Sequence, residues 1–314
     1  MKSLKISVII PFKEVNSYVR KCVQETKKLD YRDYDIILLP DHEITGFPGC
    51  RVIPTGPIYP AQKRNMAAKA THSQLLAFID SDAYPRKDWL AKAVPFFDDP
   101  SVAAVGGPNL VPPEAGQLEH LSADVVYSSM CTGSNYPIKR YKAPGTWEYK
   151  EIAASNLIVR KSDFDRLKGF DTTHLTSEDS KLCFQIRTRL KKKVVRSDDI
   201  IVWHHRRPLF WPHFRRMFVE GRNKARVFWQ IRSMKFWTYL LPSLFLVGLF
   251  VGFILSFVHP LFLYAYLAVL AFYFCWAVVE AIRIARLRAV FFPLSVFGTH
   301  VMYGAGFIFG SLTP

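Results

Sequence analysis

The chain is 314 residues long, half of them hydrophobic, with a formal net charge of +16. Such a length holds one large domain or two smaller ones. The five cysteines, Cys22, Cys50, Cys131, Cys183 and Cys275, form no CxxC pair, which argues against a disulfide framework or a structural zinc site and suits a reduced, cytoplasmic setting.

The first apolar stretch, Ile6 to Phe12, is too short for a signal-peptide core and contains Pro11. It reads as a first strand, Ile6–Ile10, followed by a helical segment over Ser17–Lys28. A second strand, Tyr34–Leu39, runs into Pro40-Asp41, and Arg51–Pro54 is a short third. Ala61–Ala70 is rich in helix formers. Leu75–Ile79 is the most hydrophobic strand and ends in Asp80-Ser81-Asp82. Strands alternating with helices predict an α/β fold with a mostly parallel central sheet. Ligands of such sheets bind at the carboxyl ends of the strands, where Pro11, Asp41 and the acidic turn all fall. The glycine-rich consensus of neither a dinucleotide fold nor a P-loop is present.

Two carboxylates two residues apart at a strand end can share a hard divalent cation, which takes further ligands from substrate phosphates. Such an ion, Mg2+ or Mn2+, neutralises the charge that grows on a departing diphosphate. An isolated Asp-x-Asp also occurs in plain turns. Glu178-Asp179 precedes a helical segment over Ser180–Leu190. Two readings stand there: acids in a first turn capped by Ser177, or Asp179 as a general base toward an acceptor hydroxyl. His204-His205 follows a strand over Asp199–Trp203 and offers either a metal ligand or an interfacial histidine beside Arg206 and Arg207.

Between Arg187 and Lys235 stand fifteen Lys or Arg against three acids, so +12 of the total charge lies beside the first long apolar run. Basic residues there are drawn to anionic lipid by about 1 kcal/mol each. Nucleic acid is not an expected partner, since no helix-turn-helix, zinc-finger or RNP-like pattern accompanies the charge. Leu209–Arg232 mixes Phe210, Trp211, Phe214, Phe218, Phe228 and Trp229 with arginines, a composition for helices in the membrane interface or packed on the preceding domain. Phe236–Val258, Pro260–Val279 and Ala289–Leu312 carry no charge, and each reaches the about 20 residues needed to cross a bilayer. The expected organisation is an α/β domain over 1–208, amphipathic interfacial helices over 209–235 and a transmembrane domain over 236–314, with spans at 236–258, 260–282 and 289–312. Arg222, Lys224, Arg226, Arg232 and Lys235 precede the first span, and Arg283, Arg286 and Arg288 follow the second. Positive flanks stay inside, so the N-terminal domain is expected in the cytoplasm and Pro314 outside.

Taken in order, Ile6–Phe12 with Pro11, Lys63-Arg64-Asn65, Phe78-Ile79-Asp80-Ser81-Asp82, Gly106-Gly107, Asn156 to Arg160, Gly169-Phe170-Asp171, Glu178-Asp179 and His204 resemble the family-2 inverting glycosyltransferases of GT-A fold, over roughly Lys5–Arg207. The resemblance implies a Rossmann-like catalytic domain, a nucleoside-diphosphate-sugar donor and a divalent metal, Mn2+ or Mg2+. It implies that Pro11 and Glu14 line the nucleoside pocket, that Asp41 contacts the base, and that Arg64 lies near the donor. Asp80 is similar to the family's nucleotide-side acid, Asp82 to its metal ligand, Asp179 (beside Glu178) to its catalytic base, and His204, or alternatively His205, to its late metal ligand. Glu14 stands where the family often has Asn, and Pro40-Asp41-His42-Glu43 replaces its Asp-Asp-Gly-Ser. No clear QxxRW motif points to a processive polymer synthase. The expected acceptor is a hydroxyl of a lipid-linked or cell-envelope glycan. A polyprenyl phosphate is the alternative, and a non-catalytic, nucleotide-binding membrane scaffold is the reading from another class.

Overall fold

The structure, a computed structural model, describes residues 4–132, 146–148, 151–172, 178–231, 234–284 and 290–313. Ser177, Arg232, Arg286, Arg288, Ala289 and Pro314, which enter the sequence reading, lie outside these residues. In chain order the elements begin with β1 (Ile6–Pro11), α1 (Ser17–Thr26), β2 (Tyr34–Leu39), β3 (Arg51–Val52), α2 (Pro60–Lys69) and β4 (Leu75–Phe78). There follow β5 (Ala83–Pro85), α3 (Trp89–Ala93), β6 (Val102–Gly106), β7 (Asn109–Leu110), α4 (Gln117–Val126) and α5 (Ser129–Thr132). Next come β8 (Thr146–Glu148), β9 (Leu157–Arg160), α6 (Lys161–Arg166), α7 (Glu178–Thr188), β10 (Lys193–Ser197) and β11 (Val202–His204). The chain ends with α8 (Trp211–Ile231), α9 (Leu241–Leu255), α10 (Pro260–Ile284) and α11 (Phe292–Leu312).

Two compact units emerge: Met1–Pro112 with Lys142–His205, and Pro113–Tyr141 with Arg206–Pro314. The expected first domain, 1–208, is thus interrupted by a segment that groups with the C-terminal unit. The cause is apolar. Leu121 and Val125 of α4 are buried in one cluster with Leu209, Ala281, Phe292 and Val296.

In the first unit the described strands form a sheet of order β3-β2-β1-β4-β9-β6-β10-β8 and a small one of order β5-β11-β7. β1 runs parallel to β2 and β4, while β9 is antiparallel to both β4 and β6. All six residues of β1 are buried. Ile6, Val8 and Ile10 join one core cluster and Ile9 the other, as Ile36 and Leu38 do against Ile37 and Leu39 of β2. Successive side chains point to opposite faces; a sheet covered on both faces therefore reads as an unbroken apolar run. On the second face Phe78, Phe164 and Phe170 pack with ring centroids 5.0 to 5.4 Å apart. Where β6 ends, a Cβ on Gly106 would stand 2.2 Å from the carbonyl oxygen of Asn156, so only glycine admits this crossing.

The strand expected over Asp199–Trp203 is displaced to Val202–His204. The fully buried Asn156 explains the shift: its amide donates to the carbonyls of Ile200 at 2.8 Å and Pro108 at 3.1 Å, and its Oδ1 accepts from the Trp89 indole at 2.8 Å. Ile200 is thereby held in a turn.

In the second unit α8 is one continuous helix in place of the several interfacial helices expected. It packs closely on α11, where a Cβ on Gly306 would meet the Phe218 carbonyl oxygen at 2.0 Å. The buried His213 of α8 joins Ser122 at 2.9 Å and Thr299 at 2.8 Å. Burial, aided by Arg206, pushes its pKa down to about 4. Three helical segments, Trp237–Leu255, Pro260–Ile284 and Phe292–Leu312, are long and apolar enough to cross a membrane. The first begins in a 3-10 turn over Met234–Leu240.

Candidate active site

The acidic turn lies directly between two strands that belong to different sheets. Asp80 follows β4, Asp82 precedes β5, and the Ala83 amide donates to the Asp80 carbonyl at 3.1 Å to close the turn. β5 then pairs antiparallel with β11, with His204 opposite Ala83, and the His205 amide donates to the Asp82 carbonyl at 3.1 Å. This register carries His204 to the turn from far along the chain. Its Nε2 lies 3.1 Å from Asp82 Oδ1, and one ligand atom from each of Asp80, Asp82 and His204 falls within 4.8 Å of the others. Two carboxylates and an imidazole, all partly exposed, are a donor set that suits a divalent ion such as Mn2+. The ring of His205 packs instead on Tyr18, 4.7 Å between centroids. Of the two histidines, His204 is the one in the cluster.

Arg64, on α2 and almost wholly buried, connects this cluster to the second acidic pair. One nitrogen donates to Asp80 Oδ1 at 2.5 Å and another to Glu178 Oε1 at 2.8 Å. One guanidinium fork thus joins acids 98 positions apart in sequence. Glu178 and Asp179 open α7, in its first turn, and Glu178 is at the same time joined to Asp80 through Arg64. Burial, followed by the neighbouring Asp179, pushes the Glu178 carboxyl up to about 7 against the pull of Arg64. Asp179 accepts from the backbone amides of Ser180 at 2.7 Å and Ala154 at 3.1 Å. These bonds aim the carboxylate.

At the ends of β1 and β2, Asp41 is ion-paired with Lys63, which also donates to the carbonyls of Phe12 at 2.6 Å and Leu39 at 3.1 Å. Pro11 is buried at the end of β1. Glu14 is exposed in the following loop and makes no hydrogen bond or ion pair with a described residue. Lys63 has a part at this end of the site that its neighbour Arg64 overshadows in the sequence. The available signal is a cationic pair one turn into a helix that starts at Pro60, both members being buried.

The profile of glycosyl transferase family 2 matches residues 7–168, just over half of the chain. The chain belongs to glycosyl transferase family 2. Over 128 residues it is 32% identical to the pre-mycofactocin glycosyltransferase of two strains of Mycobacterium tuberculosis, a match covering 40% of this chain and 26% of that protein. The chain therefore spans about a quarter of the length of the curated relatives it matches. Its fold is similar to the mannosyltransferase PcManGT from Pyrobaculum calidifontis, solved with GDP-Man and Mn2+, with a TM-score of 0.61 and 16% identity over 99% of this chain and 87% of that one. GalNAc-T7, solved with UDP, GalNAc and Mn2+, gives a TM-score of 0.50 and 16% identity over 65% of this chain and 44% of that one. These likenesses establish the GT-A fold, and the chain adds C-terminal helices apolar enough to cross a membrane.

Proposed function

We propose that this glycosyltransferase is a membrane-bound, metal-dependent, inverting enzyme. It moves a sugar from a nucleoside-diphosphate sugar to a hydroxyl of a lipid-linked or cell-envelope glycan. The cluster of Asp80, Asp82 and His204 carries the reading. Both solved neighbours hold Mn2+ together with a nucleotide sugar or its parts, which supports the same loading here. Asp82 and His204, with Asp80 beside them, would hold the metal, which would supply charge neutralisation for the departing diphosphate.

The chain's own residues do the rest. Asp41 and the end of β1 receive the nucleoside, and Arg64 fixes Asp80 against it. Asp179 takes the acceptor proton as the sugar carbon is attacked, and Glu178 is its buried companion on Arg64. Residues 1–112 and 142–205 form the catalytic unit. α8 lies in the membrane interface, its exposed Trp211 and Trp229 and its arginines turned to anionic lipid. The catalytic unit faces the cytoplasm and the C-terminus the other side.

A phosphate acceptor, as in polyprenyl-phosphate transfer, is the competing reading, and the arginines of α8 favour it. Asp179→Asn separates the two. Loss of transfer by roughly 10²-fold or more, with donor binding retained, supports the hydroxyl acceptor. Turnover that survives with its metal dependence unchanged removes the base assignment and favours the phosphate.

A further inference from the structure

We propose that Arg64 couples the metal cluster to the acid pair, so that Glu178 gives up a proton when a divalent ion binds at Asp80, Asp82 and His204. The inference rests on the metal reading above and adds an order to it. The acids on the acceptor side become fully ionised only once the donor side is loaded. Arg64 is the positioning residue between the two.

A guanidinium keeps its charge in proteins and offers donors in a fixed fork. That of Arg64 donates to Asp80 Oδ1 at 2.5 Å and to Glu178 Oε1 at 2.8 Å, while its sealed Nε has no hydrogen-bond partner among the described residues. The fork is packed in place. Its central carbon lies 5.8 Å from the centroid of the Phe170 ring. Asn65, the next residue of α2, holds Phe170 in both directions. Its Oδ1 accepts from the Phe170 amide and its Nδ2 donates to the Phe170 carbonyl, each at 2.8 Å. One immobile cation is therefore shared by two carboxylates.

The charged groups facing the Glu178 carboxyl are Asp179 on α7 itself, Arg64 on α2 and Asp80 in the turn after β4. The neighbouring Glu151 is engaged by the Ser180 hydroxyl at 2.9 Å. Burial, then Asp179 and Asp80, outweigh the shared cation and hold the carboxyl up at about 7. A bound divalent ion supplies positive charge to the cluster. Asp80 then no longer competes for the fork, Arg64 is left to Glu178, and the Asp80 charge that opposed ionisation is neutralised. All of these changes favour the ionised form of Glu178. The O–H bond of its carboxyl breaks, the electron pair stays on the carboxylate, and the proton passes to solvent. Coupling between sites is reciprocal, so ionised Glu178 tightens the hold of the cluster on its ion.

The test is Mn2+ binding to the 314-residue protein in detergent, followed by the electron paramagnetic resonance of the free ion from about pH 6 to about pH 8. The slope of log affinity against pH counts the protons expelled on binding. Any proton that His204 yields to the ion leaves in the wild type and in Glu178→Gln alike, so the difference between their slopes belongs to Glu178. The two proteins should bind Mn2+ within about twofold of each other near pH 6, and the wild type about tenfold more tightly near pH 8, a coupling of ordinary size. Arg64→Lys keeps the charge and cannot span both carboxylates, so its slope should fall toward that of Glu178→Gln. An arginine with a purely structural part would weaken Mn2+ binding at every pH and leave the slope at its wild-type value, which overturns the role of Arg64. Should Arg64→Lys not fold, the wild-type and Glu178→Gln slopes still decide. Parallel slopes in those two, with Mn2+ bound by both, overturn the coupling alone. No uptake of Mn2+ by the wild type overturns this inference and the metal reading together.

Discussion

Arg64 donates to Glu178 at 2.8 Å while a second nitrogen of the same guanidinium holds Asp80 at 2.5 Å. The residue that steadies Asp80, the acid proposed for the donor side, is thus also the counter-ion of the acid pair proposed to serve the acceptor. Its side chain is 4% exposed, and Glu178 is 12% exposed against 33% for Asp80, so the bond to Glu178 is the one better shielded from solvent.

Replacing Arg64 by Lys keeps a positive charge but loses the planar fork that spans two carboxylates. Arg64→Lys should lower kcat/KM by roughly 10- to 100-fold, in line with the about 1.5–3 kcal/mol of a charge-assisted bond. Arg64→Gln should lower the melting temperature as well, because Glu178 is left buried without its partner. Steady-state kinetics and thermal melting of both variants check this. Wild-type kinetics in Arg64→Lys would show that the bridge has no part in turnover.

The raised pKa of Glu178 sets a sign for the dependence of stability on pH. An unfolded Glu titrates near about 4.3, whereas the folded carboxyl has been pushed up to about 7 by burial and then by Asp179. Between these values the folded state holds the proton more tightly than the unfolded chain. The contribution of Glu178 to stability is therefore full below about pH 4.3 and is lost as pH rises through about 7. Melting curves from pH 5 to pH 8 should fall less steeply for Glu178→Gln than for the wild type. Parallel curves would assign the titration elsewhere.

His213 carries the opposite sign. Its pKa is pushed down to about 4 by burial and then by Arg206, below the ordinary value of about 6.5. Its contribution is present above pH 6.5 and disappears as pH falls through about 4. Since it joins Ser122 and Thr299, His213→Phe should lower the melting temperature by a few degrees at pH 7.5 through two lost buried bonds. The loss should shrink toward pH 4. A constant difference across that range would contradict a neutral buried imidazole.

The two histidines at the end of β11 make a paired control. His204→Ala should weaken Mn2+ binding by roughly 10- to 100-fold, as the loss of one ligand from a small site does, whereas His205→Ala should leave it within about twofold. Equal effects would remove the special position of His204 beside Asp82.

The strands and the acidic turn that frame the proposed nucleotide half of the site were legible in the sequence because they are local. β2 matches its expected bounds, Tyr34–Leu39, since an apolar run between turn residues needs no distant partner. The acidic turn follows directly from its strand. The partnership of Asp80 with Glu178 was not legible, because it passes through Arg64, and only the packed α2 brings that guanidinium between them. His204 against Asp82 depends on the pairing of β5 with β11, a register that no local pattern encodes. The same holds for β9 (Leu157–Arg160), whose antiparallel place between β4 and β6 is set by pairing with both. Gln117–Val126 reads as part of the first domain, and only its burial against the C-terminal helices groups it with them.

The most direct test of the account is a Mn2+ titration followed by the electron paramagnetic resonance of the free ion, with the 314-residue protein and UDP, in the wild type and in Asp82→Ala. The account predicts close to one bound Mn2+ per wild-type chain and a loss of binding of roughly 10-fold or more in the variant. Equal binding by the two proteins, or no uptake by the wild type, would contradict it.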